Sequence, residues 1–423
     1  MLFTQNKKYP TVEEIIFRDN YHSDQEKCSL RERIKNISLA IETIPIGLLY
    51  SGEHIYLDKF KEIVGLQDEE IEALKVKLEK ENNIKSTIEK QIDEIVRENL
   101  WKHKDDNFKG YSAWSIALEI RALRKWRNLR GKTNDQLPNN ILEEDINGHI
   151  GKGIAKIWEL RNVEAKGWAS AQDEKRRDEE GLNVYDTSVV TDILLYLLKK
   201  NNSLFNEQIK KELPLFFEDS IYRISERIIN NKGGCFASNA DKKLSVEALC
   251  YALLLLITTC KIDESESFYS QEICSKVLSS VEAGLDYLLS NNEYSTVNDI
   301  ASRLHLYMRL NSVLPLFSER YKLNSEVSKL QDELLNRVKF RNNFFGWIDD
   351  KEETCLNIRN TSSAITSLIR SGIDSHIPVI YQGLMFLTDP ITINGVVNKL
   401  DFTYVLCAIV DYIITLSPER SLT

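Results

Sequence analysis

The chain has 423 residues, too many for one ordinary core, and its 42% hydrophobic and 28% charged content is typical of globular proteins. A net charge of −9 excludes a general attraction to nucleic acid or anionic membranes, so such binding would need a local basic patch. Glycine (17) and proline (8) are scarce. Because sheet-rich folds need many turns, this scarcity predicts an all-α protein of long helices.

The cellular compartment is indicated by the cysteines and by the apolar stretches. Seven cysteines are scattered along the chain without a Cys-x-x-Cys pair, a pattern typical of a reducing compartment. The first residues lack the apolar core of a signal peptide. The longest apolar stretch, 248–257, is too short to span a bilayer, which takes about 20 residues. The sequence therefore predicts a cytoplasmic protein that does not contact membranes.

Residues 1–100 are predicted to form a separate helical module. Helices at 30–44 and 57–64, a turn at Gly65 and a helix from Asp68 give an order that resembles a small winged-helix or helix-turn-helix unit without a clear wing. The segment 66–83 carries six acidic residues and three lysines, and an acidic helix seldom faces DNA phosphates. A packing or partner-binding module is therefore favoured, with DNA binding as the alternative.

From residue 101 to 423 a repeated pattern predicts the second domain. Each unit has an irregular stretch, often with a glycine and an aromatic residue, then a capping residue and a strongly apolar helix. The apolar helices are predicted to start near Ser112, Thr187, Ser245, Thr296, Thr361 and Asp401. Amphipathic helices are predicted between them, at 217–229, 270–289, 325–341 and 377–387. Buried inner helices with amphipathic outer partners indicate a closed ring of six hairpins, and an irregular bundle or an open solenoid is the alternative.

Two of these units carry a family resemblance. The matching fragments are Gly167-Trp168 with Asp186-Thr187, and Gly346-Trp347 with Asn360-Thr361. They resemble the repeats of the terpene cyclase and protein prenyltransferase β-subunit superfamily. The resemblance implies an (α/α)6 toroid with a central cavity. The superfamily's Asp-x-Asp-Asp acid is missing, and neither His305 nor His376 has a cysteine at a spacing suited to zinc. We therefore predict no cofactor and no metal, and favour a protein that is not an enzyme.

The candidate residues for ligand or partner binding come from the same irregular stretches and helix starts. They are Trp168, Asp186, Trp347, Asp349, Asp350 and Asp401. The run 349–353 has the spacing of a metal–diphosphate motif, but such a motif works from a helix, so a solvated acidic loop is favoured. The predicted partner is another protein or a small ligand at the mouth of the toroid, where helix N-termini would favour an anionic group.

A basic segment at 121–132 carries six positive charges and is the nucleic-acid candidate. Its candidate residues are Arg121, Arg124, Trp126, Arg127 and Arg130. Trp126 could stack on a base. The favoured interpretation is the C-terminal end of a helix, where cations offset the helix dipole and Gly131 ends the helix. Nucleic acid is therefore a possible partner but not the favoured one.

The leading functional hypothesis is a non-catalytic binding, regulatory or scaffold protein. Such a protein would hold a partner or ligand in a prenyltransferase-like toroid. A place as a subunit in a bacterial multi-gene system, such as defence or signalling, extends this hypothesis. One alternative is a diverged cyclase or transferase, which would need two or more of the candidate carboxylates to converge around a hydrophobic pocket. The other alternative is a nucleic-acid-associated regulator.

Overall fold

The computed structural model describes residues 112–132, 143–169, 181–238, 241, 243–260, 271–291, 295–341, 344–349, 356–373, 378–388 and five residues between 404 and 411. The module predicted at 1–100 lies outside these residues and stays a prediction. Within the described part the structure is mostly helical, which confirms the all-α prediction.

The described helices are as follows. They are α1 (Ala113–Lys132), α2 (Glu143–Glu159), α3 (Val184–Lys200), α4 (Glu207–Asn230), α5 (Val246–Cys260), α6 (Gln271–Ser290), α7 (Val297–Val313), α8 (Pro315–Arg320), α9 (Leu323–Asn336), α10 (Ile358–Arg370) and α11 (Pro378–Thr388). A short 3-10 turn, Asn202–Leu204, follows α3. The helical residues Tyr404, Val405, Cys407, Ala408 and Asp411 are called the C-terminal segment. No helix in these ranges is both long and apolar enough to cross a membrane.

One predicted helix ends early and is followed by a short hairpin. The helix predicted at 325–341 ends at Asn336, and β1 (Val338–Arg341) pairs antiparallel with β2 (Phe344–Trp347). Val338 lies opposite Trp347. The sequence of β1 alternates apolar and basic residues, a period of two that suits a strand better than a helix. The prediction of a helix over these four residues was therefore wrong.

The helices fall into two classes of burial, as the sequence predicted. Helix α3 is buried on nearly every side, including its polar positions Asp186, Thr187 and Thr191. Helix α4 is instead buried along one stripe that runs from Ile209 to Ile228. The buried helices α1, α3, α5, α7 and α10 contact one another in that order. Helix α2 packs against α1, α6 against α5, α9 against α7, and α11 against α10. Helices α2, α6 and α9 are amphipathic, whereas the described side chains of α11, which was predicted to be amphipathic, are all buried or half-buried.

Two helix starts differ from the prediction. Helix α3 is capped by Asn183, whose side chain accepts the main-chain N–H of Asp186, and α10 is capped in the same way by Asn357. Thr187 and Thr361 were predicted near these starts but lie inside the first turn, because their hydroxyls bond to the preceding irregular stretch. The other starts that can be compared agree with the prediction: α1, α5 and α7 begin one residue after Ser112, Ser245 and Thr296.

Candidate functional site

The first Gly-Trp pair, Gly167-Trp168, joins the amphipathic helix α2 to the buried helix α3. Trp168 is fully buried, and its indole N–H donates to the carbonyl of Ile157 at the end of α2 (2.8 Å). Its main-chain N–H donates to the hydroxyl of Thr187 in α3 (2.9 Å). A Cβ on Gly167 would lie 2.6 Å from that hydroxyl and 2.9 Å from the side chain of Leu182, so only glycine fits. These contacts give Trp168 a structural role.

The second Gly-Trp pair repeats this arrangement. Trp347 is fully buried, its indole N–H donates to the carbonyl of Leu334 in α9 (2.7 Å), and its main-chain N–H donates to the hydroxyl of Thr361 in α10 (3.1 Å). A Cβ on Gly346 would lie 2.8 Å from that hydroxyl and 3.0 Å from Leu356. The two binding candidates Trp168 and Trp347 are therefore equivalent residues that lock an irregular stretch between two helices.

A third unit shows the same main-chain geometry without a tryptophan. The N–H of Ser245 donates to the carbonyl of Cys235 (2.6 Å), as the N–H of Asn183 does to Trp168 (2.9 Å). A Cβ on Gly234 would again meet a leucine, Leu244, at 2.6 Å. Cys235 is fully buried, and burial raises the pKa of its thiol to about 12, so it serves as a small apolar residue. The repeat unit thus has three described copies.

The acidic candidates do not form a common site in the described part of the chain. Asp186 is buried in the first turn of α3. Asp349 is exposed, and its carboxylate accepts the main-chain N–H of Val297 at the start of α7 (2.6 Å), a contact that the interpretation as a solvated loop did not include. Neither residue lines the cavity described below. Asp350 and Asp401 lie outside the described residues.

Aligning the buried helices on their caps reveals side chains that the sequence analysis missed. The caps are Ser112, Asn183, Ser245, Thr296 and Asn357. The residues two positions after them are Trp114, Tyr185, Glu247, Asn298 and Arg359. The signal that could have found them is this fixed spacing from the cap, because residues at one spacing lie at one height and on one face of equivalent helices.

The side chains at this position meet between the helices. The ring of Tyr185 lies edge-on to Trp114 of α1 (centroids 5.6 Å apart) and to Tyr251 of α5 (4.7 Å). Asn298 of α7 donates to the side chain of Asn360 in α10 (3.1 Å). The first two turns of these helices therefore lie at the same end of the domain.

The side chains two positions after the caps are called the cluster. Within it, Arg359 reaches both the first described helix, α1, and the C-terminal segment. Its guanidinium donates to the Glu247 carboxylate (3.1 Å) and lies 5.9 Å from the ring centre of Trp114 and 5.3 Å from that of Tyr404 in the C-terminal segment. Burial lowers the pKa of Arg359, but the neighbouring Tyr404 and Glu247 outweigh it, so the net shift is upward. Arg359 is therefore a permanent cation in contact with the first, third and last of the described buried segments.

Beside this cluster lies a cavity of about 70 Å³. Side chains from α1, α3, α5, α7, α10 and the C-terminal segment all line it. Its polar lining includes Arg121, Tyr251, His305, Ser363, Thr366 and Arg370. A cavity of this volume has room for roughly five water molecules or a small polar molecule.

One wall of the cavity carries a charged network. Arg370 donates to the carboxylate of Asp411 in the C-terminal segment (2.8 Å) and contacts Nε2 of His305 (3.3 Å). Because a guanidinium can only donate, Nε2 of His305 is the acceptor and carries no proton in this arrangement. Ser362 is 1% exposed, lines the cavity, and its hydroxyl has no hydrogen-bond partner among the described residues.

The basic nucleic-acid candidates take different places. Arg121 lines the cavity. Arg124 lies over the ring of Tyr196, 3.6 Å from its centre. The side chains of the remaining candidates lie outside the described residues: Trp126, Arg127 and Arg130. Two of the five basic-patch candidates are thus engaged within the domain.

Asp192 of α3 faces these arginines. Burial raises the pKa of its carboxyl group, and the nearby guanidinium groups of Arg121, Arg309 and Arg124 oppose that shift. Within the described ranges, no group of three or more His, Cys, Asp or Glu side chains is arranged to hold a metal ion. The site therefore offers guanidinium groups, hydroxyls and the Glu247 carboxylate, which suit binding of a polar molecule.

Comparisons with known proteins do not assign a family. No protein-family model matches the sequence, and no curated protein is significantly similar to it. The resemblance to the terpene cyclase and prenyltransferase superfamily therefore rests on the repeat pattern.

Proposed function

We propose that this protein is a non-catalytic binding protein in which a closed ring of helical hairpins holds a small polar molecule at its centre. The observation that carries this proposal is the cavity, whose lining comes from all six buried helical segments. A site built by every repeat of a domain is a natural place for a ligand, since such sites are concave and carry a few convergent polar groups.

The contacts between helices support the closed ring. The buried helices contact their neighbours in the order α1, α3, α5, α7 and α10. Arg359 of α10 lies near Trp114 of α1 and near Tyr404, and both Leu118 and Cys407 line the same cavity. In an open solenoid each repeat contacts only its neighbours, so the first and last repeats would lie far apart.

The character of the cavity favours binding over cyclase or prenyltransferase chemistry. A polyprenyl chain needs a long apolar pocket, whereas this cavity is small and carries arginines and hydroxyls. Protonation of an alkene would need clustered carboxylates to hold the proton. Of the four candidates, Asp186 and Asp349 do not line the cavity. The enzyme alternative is therefore the less well supported.

We extend the proposal to regulation or scaffolding, which the same geometry supports. A ligand held by all six segments would stabilise the ring as a unit, because it binds only the folded arrangement. Such stabilisation could be transmitted to a partner protein on the outer helices. The nucleic-acid alternative is less well supported, since Arg121 faces the cavity and Arg124 packs on Tyr196.

Thermal unfolding with a panel of small polar metabolites tests this proposal. A ligand at 100 times its Kd should stabilise the wild type by about 2.7 kcal/mol, which raises Tm by roughly 3–4 °C for a chain of this length. Ser363→Leu, which fills the cavity, should abolish the shift. Ser275→Leu makes the same change on the exposed face of α6 and should keep it. A full shift in a folded Ser363→Leu variant, or no shift of the wild type with any compound, would contradict the proposal.

A further inference from the structure

Resting on the proposed binding cavity, we propose that its ligand is a small anion, a carboxylate or phosphate compound, whose negative group pairs with the guanidinium of Arg121. Three observations support it: Arg121 lacks a hydrogen-bonded carboxylate, hydroxyl donors line the same cavity, and the cavity is small.

Arg370 lines the cavity and Arg359 lies in the cluster beside it, and each of these arginines already has a carboxylate. Arg359 pairs with Glu247 (3.1 Å), and Arg370 pairs with Asp411 (2.8 Å). Arg121 lines the cavity and makes no hydrogen bond or salt bridge with a described residue, although Asp411 is near enough to act on it through space. Arg121 is therefore the cavity cation whose hydrogen-bond donors remain available.

A second carboxylate, Asp192, acts on Arg121 but does not form a hydrogen bond with it. Asp192 is shared among three guanidinium groups, those of Arg121, Arg124 and Arg309. Both aspartates that act on Arg121, Asp192 and Asp411, also interact with other arginines, so neither serves Arg121 alone. Because a buried charge without a partner is costly, an anion entering the cavity would gain a strong electrostatic interaction.

Hydroxyl groups complete the anion site. The hydroxyl of Ser362 is buried and lacks a hydrogen-bond partner among the described residues, and Ser363 and Thr366 line the same cavity from α10. Carboxylate and phosphate oxygens accept several hydrogen bonds at once, and those from a guanidinium are the strongest. A volume of about 70 Å³ restricts the ligand to a small molecule.

Isothermal titration at low salt tests the inference, with inorganic phosphate and succinate as anionic probes and succinamide as the neutral one. We expect at least one anion to bind the wild type and succinamide to bind at least 30-fold more weakly. Arg121→Gln should weaken anion binding by about 30-fold or more, since it removes one partner of a buried charge pair. Arg121→Lys keeps the charge and should retain part of the affinity. Arg320→Gln, at an exposed pair with Glu282, should change nothing.

The outcomes separate this inference from the proposed function. Phosphate binding alone or succinate binding alone supports the inference and identifies the source of the negative group. Equal binding of succinate and succinamide, with no effect of a folded Arg121→Gln variant, would leave the binding cavity in place but overturn the anion. If Arg121→Gln does not fold, wild-type affinity for succinate in Arg121→Lys, together with equal binding of succinate and succinamide by the wild type, would equally overturn it. If, in addition, no compound of the metabolite panel raises the Tm of the wild type, the proposed function fails as well.

Discussion

At the residue scale, the pair of Glu247 and Arg359 sets the electrostatics of the cluster. Both residues are partly buried, and they come from helices that are not neighbours in the sequence. Desolvation disfavours the charged carboxylate, and the guanidinium at 3.1 Å offsets only part of that cost. Burial therefore raises the pKa of Glu247 above its ordinary value of 4.5, even though Arg359 acts to lower it.

This shift predicts a pH dependence of stability. Because the folded protein holds the Glu247 proton more tightly than the unfolded chain does, its free energy of unfolding relative to a Glu247→Gln variant should rise as the pH falls from 7. The gain should be complete below the unfolded-state pKa of about 4.5. Urea unfolding of both proteins between pH 7 and 4 measures the difference. If the difference in free energy of unfolding stays constant or becomes smaller as the pH is lowered, burial is not the dominant influence on the pKa of Glu247.

At the element scale, the sequence predicted which segments are helical better than where each helix begins. Asn183 and Thr187 both suit a helix cap, as do Asn357 and Thr361, and sequence alone cannot rank two capping residues four positions apart. The choice is made by tertiary contact, because each threonine hydroxyl binds the main chain of a tryptophan. Thr296 has no such partner and caps α7 in a capping box with Asp299, as its position predicted.

The residues of the candidate site were also missed because tertiary contacts position them, and these contacts are not visible in the sequence. Trp168 and Trp347 were predicted to bind a ligand or partner because tryptophan beside glycine is conspicuous, yet both are packing residues. The cluster at the fixed spacing from the caps becomes visible only when the caps are correctly placed. Arg121 was noticed for its charge, but only the packing of α1 against α3 shows that it lines a cavity.

The repeat geometry predicts that replacing the glycine of either Gly-Trp pair lowers the stability of the protein. Gly167→Ala and Gly346→Ala would each place a Cβ within 2.8 Å of a threonine hydroxyl, and each should lower the free energy of unfolding by about 1–3 kcal/mol. Gly148→Ala is the matched control: Gly148 lies in α2, and a Cβ there would meet nothing within 4 Å. That change should raise stability by up to about 1 kcal/mol through helix propensity. Equilibrium urea unfolding measures all three, and a Gly167→Ala variant as stable as Gly148→Ala would refute the shared geometry.

At the scale of the whole molecule, the account depends on two linked ideas: the ring closes, and its centre is a polar site. Alternation of apolar and amphipathic helices predicted the first idea, but alternation alone fits an open solenoid equally well. The contacts of Arg359 with Trp114 and Tyr404 are what favour closure, and a pattern of hydrophobicity cannot reveal them. The second idea came only from the structure, because the cavity-facing side chains are spread over six segments.

A crystal structure of the full chain, grown with the anion that binds most tightly, tests both ideas in one measurement. The account predicts density for the anion within hydrogen-bonding distance of Arg121, enclosed by α1, α3, α5, α7, α10 and the C-terminal segment. A structure in which α1 and the C-terminal segment are separated by solvent, or in which the anion lies away from Arg121 and the cavity is filled by side chains, would contradict it.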